Sequence, residues 1–142
     1  MPVRKASAVW EGPILDGRGT MKFGGGAFEG RYSFLSRFDS APGTNPEELI
    51  GAAHAGCFSM ALSGLLGQKG HPPKRIETEA DVTIVKVGEG FKITDIALKT
   101  VAEVPGIEEA EFLELAETAK KTCPVSQALT GVKIALDASL KK

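Results

Sequence analysis

The chain has 142 residues, enough for one domain spanning 1–142 and for a hydrophobic core that needs no disulfide scaffold. Apolar residues make up 42% and charged residues 25%, the balance of an ordinary soluble globular protein. A net charge of −1, with scattered basic residues and no aromatic interleaving, argues against nucleic acid as a partner.

Met1 to Trp10 lacks the apolar core of a signal peptide, so a cytoplasmic home is expected. In that compartment a structural disulfide is disfavoured. The two cysteines then read as catalytic, redox-sensing or simply reduced and buried. Two Cys and two His without short ligand spacing make a poor zinc pattern, so no metal site is expected.

In chain order, the first third reads as strands and turns. Val3 to Trp10 predicts a strand, Asp16-Gly17-Arg18-Gly19 a turn, and Thr20 to Phe23 a second strand. Gly24-Gly25-Gly26 marks a loop and does not stand between a convincing strand and helix, which gives a phosphate-binding reading little support. Tyr32 and Phe34 alternate with polar neighbours and predict a third strand; Asp39 to Gly43 is a loop.

Asn45 suits a helix N-cap, with Pro46 at the first helical position and Glu47 and Glu48 in the first turn. The helix runs to about Gly67. From Leu49 on it carries no formal charge and approaches the length of a membrane span. Four glycines, His54, Ser59 and Ser63 make it too weakly hydrophobic for that, and the expectation is a central, fully buried helix with no membrane. Gly51/Ala55 and Ala52/Gly56 form small-residue pairs that admit a partner helix from this chain or a second copy.

Ile76 to Ile84 alternates as a half-exposed strand, Gly88-Glu-Gly90 turns, and Phe91 to Val104 returns as its antiparallel partner. The apolar parity switches between Ile93 and Ile96, which predicts a bulge. Pro105-Gly106 ends the sheet. Glu108 to Lys121 is an amphipathic helix with Phe112, Leu115, Ala116 and Ala119 on one face. A short helix follows from Pro124 to Thr130, then a last strand from Val132 to Leu140. The layout is α+β.

A cysteine reacts as its thiolate, and an unperturbed thiol is mostly protonated at neutral pH. Cys57 lies too deep in its helix to use the N-terminal dipole, so it needs a cation. His54, one turn earlier, is one candidate. Arg37 is the better one, because it stays charged and offers a planar fork that Glu47 could hold from one side. Cys123, with Pro124 behind it, sits at a helix N-cap facing unpaired N–H groups, which favour a thiolate and a good leaving group. The residue types alone fit blander roles equally: a small buried hydrophobe at Cys57, a neutral cap at Cys123, a packed His54, and solvated Arg37 and Glu47.

Several segments carry a family resemblance. They are Trp10-Glu-Gly12, Gly43-Thr-Asn-Pro-Glu-Glu-Leu-Ile-Gly-Ala-Ala-His54, Cys57-Phe-Ser-Met-Ala-Leu62, Val104-Pro-Gly-Ile107 and Cys123-Pro-Val-Ser-Gln127. Over nearly its whole length the chain resembles the osmotically inducible protein C and organic hydroperoxide resistance family, in the form of the former branch. The resemblance implies antiparallel sheets wrapped around long central helices in an intertwined homodimer. It also implies a thiol peroxidase that prefers organic hydroperoxides to hydrogen peroxide.

By motif match Cys57 is then the peroxidatic thiol, Cys123 the resolving thiol, Glu47 the arginine-holding carboxylate and Arg37 the activating arginine. No cofactor is implied. The reductant would be an external dithiol protein, with dihydrolipoyl groups suggested by the family. Gly56 stands where alanine is expected, a mild departure beside the nucleophile. Two other readings stay open: a Cys–His hydrolase using Cys57 and His54, and a non-catalytic stress-induced dimer that binds small hydrophobic molecules with both thiols buried.

Overall fold

The computed structural model describes residues 2–141. It divides into two compact units, Met1–Leu49 and Ile50–Lys142.

The first unit is a three-stranded antiparallel sheet of β1 (Ala6–Glu11), β2 (Arg18–Phe23) and β3 (Phe28–Tyr32), in that order. Gly19 on β2 pairs with Trp10 on one side and Tyr32 on the other. A Cβ at Gly19 would come within 2.5 Å of the Tyr32 ring and 2.8 Å of the Trp10 ring, so glycine is what lets the two rings meet, centroids 5.5 Å apart. The triple glycine makes a single tight turn between β2 and β3, all three residues at positive φ, with Phe23 and Phe28 stacked across it.

Phe34 does not continue a strand as its alternation with Tyr32 suggested. It opens a short helix, α1 (Phe34–Phe38). The local reason is a capping box: Ser36 N–H donates to Ser33 Oγ at 3.1 Å and Ser33 N–H donates to Ser36 Oγ at 2.8 Å. This trade satisfies two free amides and turns the chain out of the extended conformation just before Phe34.

α2 (Pro46–Gln68) starts as the sequence predicts, with Glu48 N–H donating to Asn45 Oδ1 at 2.8 Å. The second unit holds β4 (Arg75–Val87), β5 (Gly90–Glu103), α3 (Glu109–Thr122), α4 (Pro124–Ala128) and β6 (Lys133–Leu140). β4 and β5 pair antiparallel, and their register shifts between Thr83 and Ile84: Thr83 faces Asp95 and Ile84 faces Ile93. Thr94 is the extra residue, and the bulge accounts for the parity switch in the sequence. β6 pairs with β5 in parallel, so this sheet is mixed rather than wholly antiparallel. The connection from β5 to β6 passes through α3 and α4, which supplies the length a parallel crossover needs.

The core of this unit is formed by Phe58, Leu62 and Leu66 of α2, Ile96, Leu98 and Ala102 of β5, and the predicted α3 face of Phe112, Leu115, Ala116 and Ala119. A helix of period 3.6 places residues four apart on one stripe, and Phe58, Leu62 and Leu66 are each 0% exposed.

The expectation of a fully buried α2 needs correction for the single chain. Only one face is covered: Gly51, His54, Phe58, Leu62 and Leu66 are buried, while Ala52, Ala53, Gly56, Met60 and Gly64 are exposed. Gly51 is occupied by this chain's own hairpin, since a Cβ there would lie 3.2 Å from Val82, so the Gly51/Ala55 pair is not open to a second helix. Nor is α2 too weakly apolar for a span: it is long and apolar enough to cross a membrane by length and composition. Its buried stripe packs as a core helix does.

Candidate active site

The structure brings the sequence-predicted residues together as two pairs. In the first unit, Arg37 meets Glu47. Three contacts stitch the intervening loop. Ser36 Oγ–H donates to the Thr44 carbonyl at 2.8 Å, Asn45 Nδ2–H to the Ser36 carbonyl at 3.0 Å, and Thr44 N–H to the Arg31 carbonyl at 2.8 Å. Gly43 makes the last of these possible. Its φ is +123°, and a Cβ would stand 2.6 Å from the Arg31 carbonyl oxygen, a backbone atom that cannot swing aside.

The folded loop sets Arg37 against the first turn of α2. Arg37 Nε–H donates to Glu47 Oε1 at 2.9 Å and to Oε2 at 3.3 Å, and Nη2–H donates to Oε1 at 2.7 Å. Phe38 lies against the guanidinium, 5.2 Å from ring centroid to Cζ. Glu47 is buried and Arg37 is exposed. The carboxylate holds the Nε/Nη2 edge of the fork and does not use the Nη1 edge, so the cation is oriented and still able to meet a second anion.

In the second unit, Cys57 on α2 meets Cys123. Both are free thiols, Cys57 half-buried and Cys123 0% exposed. Cys123 ends α3 and caps α4, with Pro124 at the first position of α4. The sulfur closes no conventional cap hydrogen bond, yet the amides of Val125 and Ser126 still favour its charged form.

Burial pushes the Cys123 thiol up. The Cys57 thiol, the amide and hydroxyl of Ser126 and the amide of Val125 together outweigh it, and the pKa falls below the ordinary thiol value. Cys57 goes the other way. Burial, then the hydrogen bond with Cys123, push it up against a smaller opposing contribution from the Val125 amide. The direction expected for Cys123 is therefore present within the second unit, while the surroundings of Cys57 in that unit favour its neutral thiol.

His54 does not serve as that cation. It is 0% exposed, burial pushes its pKa down, and it is neutral near pH 7. It does not pair with Cys57 either: Nε2 lies 2.7 Å from Ser126 Oγ, and Nδ1 has no hydrogen-bond partner among the described residues. Ser126 is the residue that sequence reasoning missed. Its signal was its place one helical turn after Cys123, within Cys123-Pro-Val-Ser126. Among the described residues no group of three or more His, Cys, Asp or Glu side chains is placed to hold a metal ion.

A two-unit α+β chain with a clamped arginine and two apposed free thiols matches one family of known proteins. A family model described as OsmC-like protein covers residues 38–137, and the chain belongs to the OsmC family. It is 51% identical over 139 residues to the peroxiredoxin OsmC of Escherichia coli strain K12, an alignment spanning 97% of this chain and 96% of that one. It is 34% identical over 90 residues to an organic hydroperoxide resistance protein of Xanthomonas axonopodis pv. citri, spanning 63% of this chain and 61% of that one. Among solved structures, an organic hydroperoxide resistance protein from Elizabethkingia anophelis superposes with a TM-score of 0.75 at 25% identity, covering 99% of each chain. The OhrB protein of Bacillus subtilis gives a TM-score of 0.70 at 26% identity, covering 96% of this chain and 98% of that one.

Proposed function

We propose that this chain is a cysteine-based peroxidase of the cytoplasm that reduces organic hydroperoxides, and hydrogen peroxide more weakly. The observation that carries the reading is the pair of apposed free thiols with unequal access, Cys57 half-buried and Cys123 fully buried. In the single chain the first sulfur is partly accessible and the second is not. The names of the relatives, a peroxiredoxin and organic hydroperoxide resistance proteins, support the substrate class.

In this reading the Cys57 thiolate attacks the distal peroxide oxygen. The O–O bond breaks, an alcohol leaves, and Cys57 becomes a sulfenic acid. Cys123 then displaces water to form the Cys57–Cys123 disulfide. An external dithiol, dihydrolipoyl groups being the suggested class, reduces it by exchange. No prosthetic group takes part. Turnover of cumene hydroperoxide with a dithiol reductant, beside an ester substrate, tests the assignment. Peroxide consumption without ester hydrolysis is expected, and the reverse would favour a Cys–His hydrolase, a reading to which the His54–Ser126 pairing lends no support.

Arg37 is assigned to stabilise the Cys57 thiolate and the departing alkoxide, with Glu47 holding the guanidinium. Arg37→Met is expected to move alkylation of Cys57 to higher pH and to slow its oxidation by about a hundredfold, the scale of losing one preorganised charge donor. An unshifted alkylation profile would remove Arg37 from the site. Glu47→Gln acts in the same direction and more weakly, because the cation remains.

The exposed apolar face of α2, with Met60 at 81% exposure, is assigned to a second copy of the chain. A homodimer built on Ala53, Gly56, Met60 and Gly64 would bury roughly 2,000 Å² or more in the manner of obligate dimers. Sedimentation at micromolar concentration should give a dimer; a folded, active monomer would contradict the assignment.

A further inference from the structure

Beyond the two thiols, a buried line of side chains runs on from Cys123. The Ser126 hydroxyl acts on the Cys123 sulfur, and His54 Nε2 lies 2.7 Å from Ser126 Oγ. His54 is 0% exposed and Ser126 6% exposed. The four residues Cys57, Cys123, Ser126 and His54 therefore form one continuous chain linking α2 to α4 and back to α2.

Stability does not explain this arrangement. A buried imidazole is tolerated when both nitrogens find partners, and among the described residues Nδ1 has none. An apolar side chain of similar size would avoid the unsatisfied atom. His54 is also not the base of Cys57, since neither ring nitrogen bonds to that sulfur.

We propose that Ser126 and His54 form a proton relay that serves Cys123, the resolving thiol, during disulfide closure. The proposal rests on the peroxidase reading above. Ser126, which touches the reacting sulfur, is the catalytic member, and His54, acting through it, is a positioning residue. As Cys123 attacks, its proton passes to Ser126 Oγ while the Ser126 proton passes to His54 Nε2. The new bond forms between the two sulfurs, and the S–O bond of the Cys57 sulfenic acid breaks. The departing hydroxide takes a proton from solvent and leaves as water, and His54 returns its proton through Ser126 to the Cys123 thiolate released when the external dithiol reopens the disulfide. The only oxidant is the hydroperoxide already consumed.

The surroundings suit this role. Cys123 faces the Cys57 thiol, the Ser126 hydroxyl and the Val125 and Ser126 amides, and these donors offset the burial of its charged form. Burial keeps the His54 ring neutral, which leaves one ring nitrogen without a proton, and its lowered basicity favours giving the proton back once accepted.

The test separates the two chemical steps. Wild type, Ser126→Ala and His54→Gln are mixed with one equivalent of cumene hydroperoxide and quenched over time. Loss of the Cys57 thiol, dimedone-trapped sulfenic acid and Cys57–Cys123 disulfide are then followed by mass spectrometry. Both variants should oxidise Cys57 at the wild-type rate and close the disulfide about a hundredfold more slowly, with sulfenic acid accumulating, the scale of general acid–base assistance.

The closure rate should be flat above neutral pH in wild type and rise with pH in Ser126→Ala, where only spontaneous ionisation of Cys123 remains. A merely structural defect would not change that profile. Ser126→Thr, which keeps a hydroxyl, should restore fast closure. Wild-type closure in both Ser126→Ala and His54→Gln overturns the relay alone, and so does slowed Cys57 oxidation with normal closure. A wild-type chain that consumes peroxide without ever forming the disulfide overturns the two-cysteine reading itself.

Discussion

A Cys57→Ser chain is expected to fold normally and to consume hydroperoxide no faster than buffer. The substitution exchanges sulfur for oxygen at a half-buried position beside the Phe58–Leu62–Leu66 stripe, so core volume barely changes. The chemistry is lost because a serine hydroxyl does not ionise near neutral pH and has no base beside it: His54, the nearest candidate in sequence, is engaged with Ser126. Peroxide consumption, read together with a thermal melt, checks both halves of the statement. A stable Cys57→Ser chain that still turns over hydroperoxide at near the wild-type rate would sink the assignment of the nucleophile.

Cys123→Ser should fail in a different way. The first oxidation needs only Cys57, so the variant should consume about one equivalent of hydroperoxide per chain and then stall. Cys57 should then be found as a sulfenic acid at low peroxide and as the sulfinic acid at high peroxide, because nothing condenses with the first oxidation product. Removing the Cys123 thiol also removes a hydrogen bond that pushes the Cys57 pKa up. The single oxidation should therefore be no slower than in wild type. Sustained turnover with a dithiol reductant would show that resolution does not require Cys123.

Much of the frame was legible in the sequence because its signals are local. Asn45-Pro46 marked the start of α2, the α3 face followed from spacing alone, and the Ile93/Ile96 parity switch located the bulge that the register places at Thr94. Phe34 was misread because Tyr32 ends a strand and Phe34 opens a helix two residues later. The Ser33–Ser36 capping box between them outweighs an apparent alternation.

The parallel pairing of β6 was not legible, since alternation gives the face of a strand and not the direction of its partner. At the site, the cysteine and arginine candidates stood out through motif context. The His54–Ser126 contact did not: its members are 72 residues apart, and each is unremarkable where it stands. His54 looked like a potential cation to Cys57 because the two share a helix face, but burial and Ser126 give it another partner and a neutral charge.

Cys57 and Cys123, on the proposed reading, form one redox couple driven by hydroperoxide. Intact-mass and peptide mapping of the fully reduced protein after one equivalent of cumene hydroperoxide, quenched with an alkylating agent, tests this. Both free thiols should be lost and one new cross-linked peptide joining Cys57 to Cys123 should appear, reversible by a dithiol. Recovery of both thiols still free to alkylate, with the peroxide unconsumed, would contradict it.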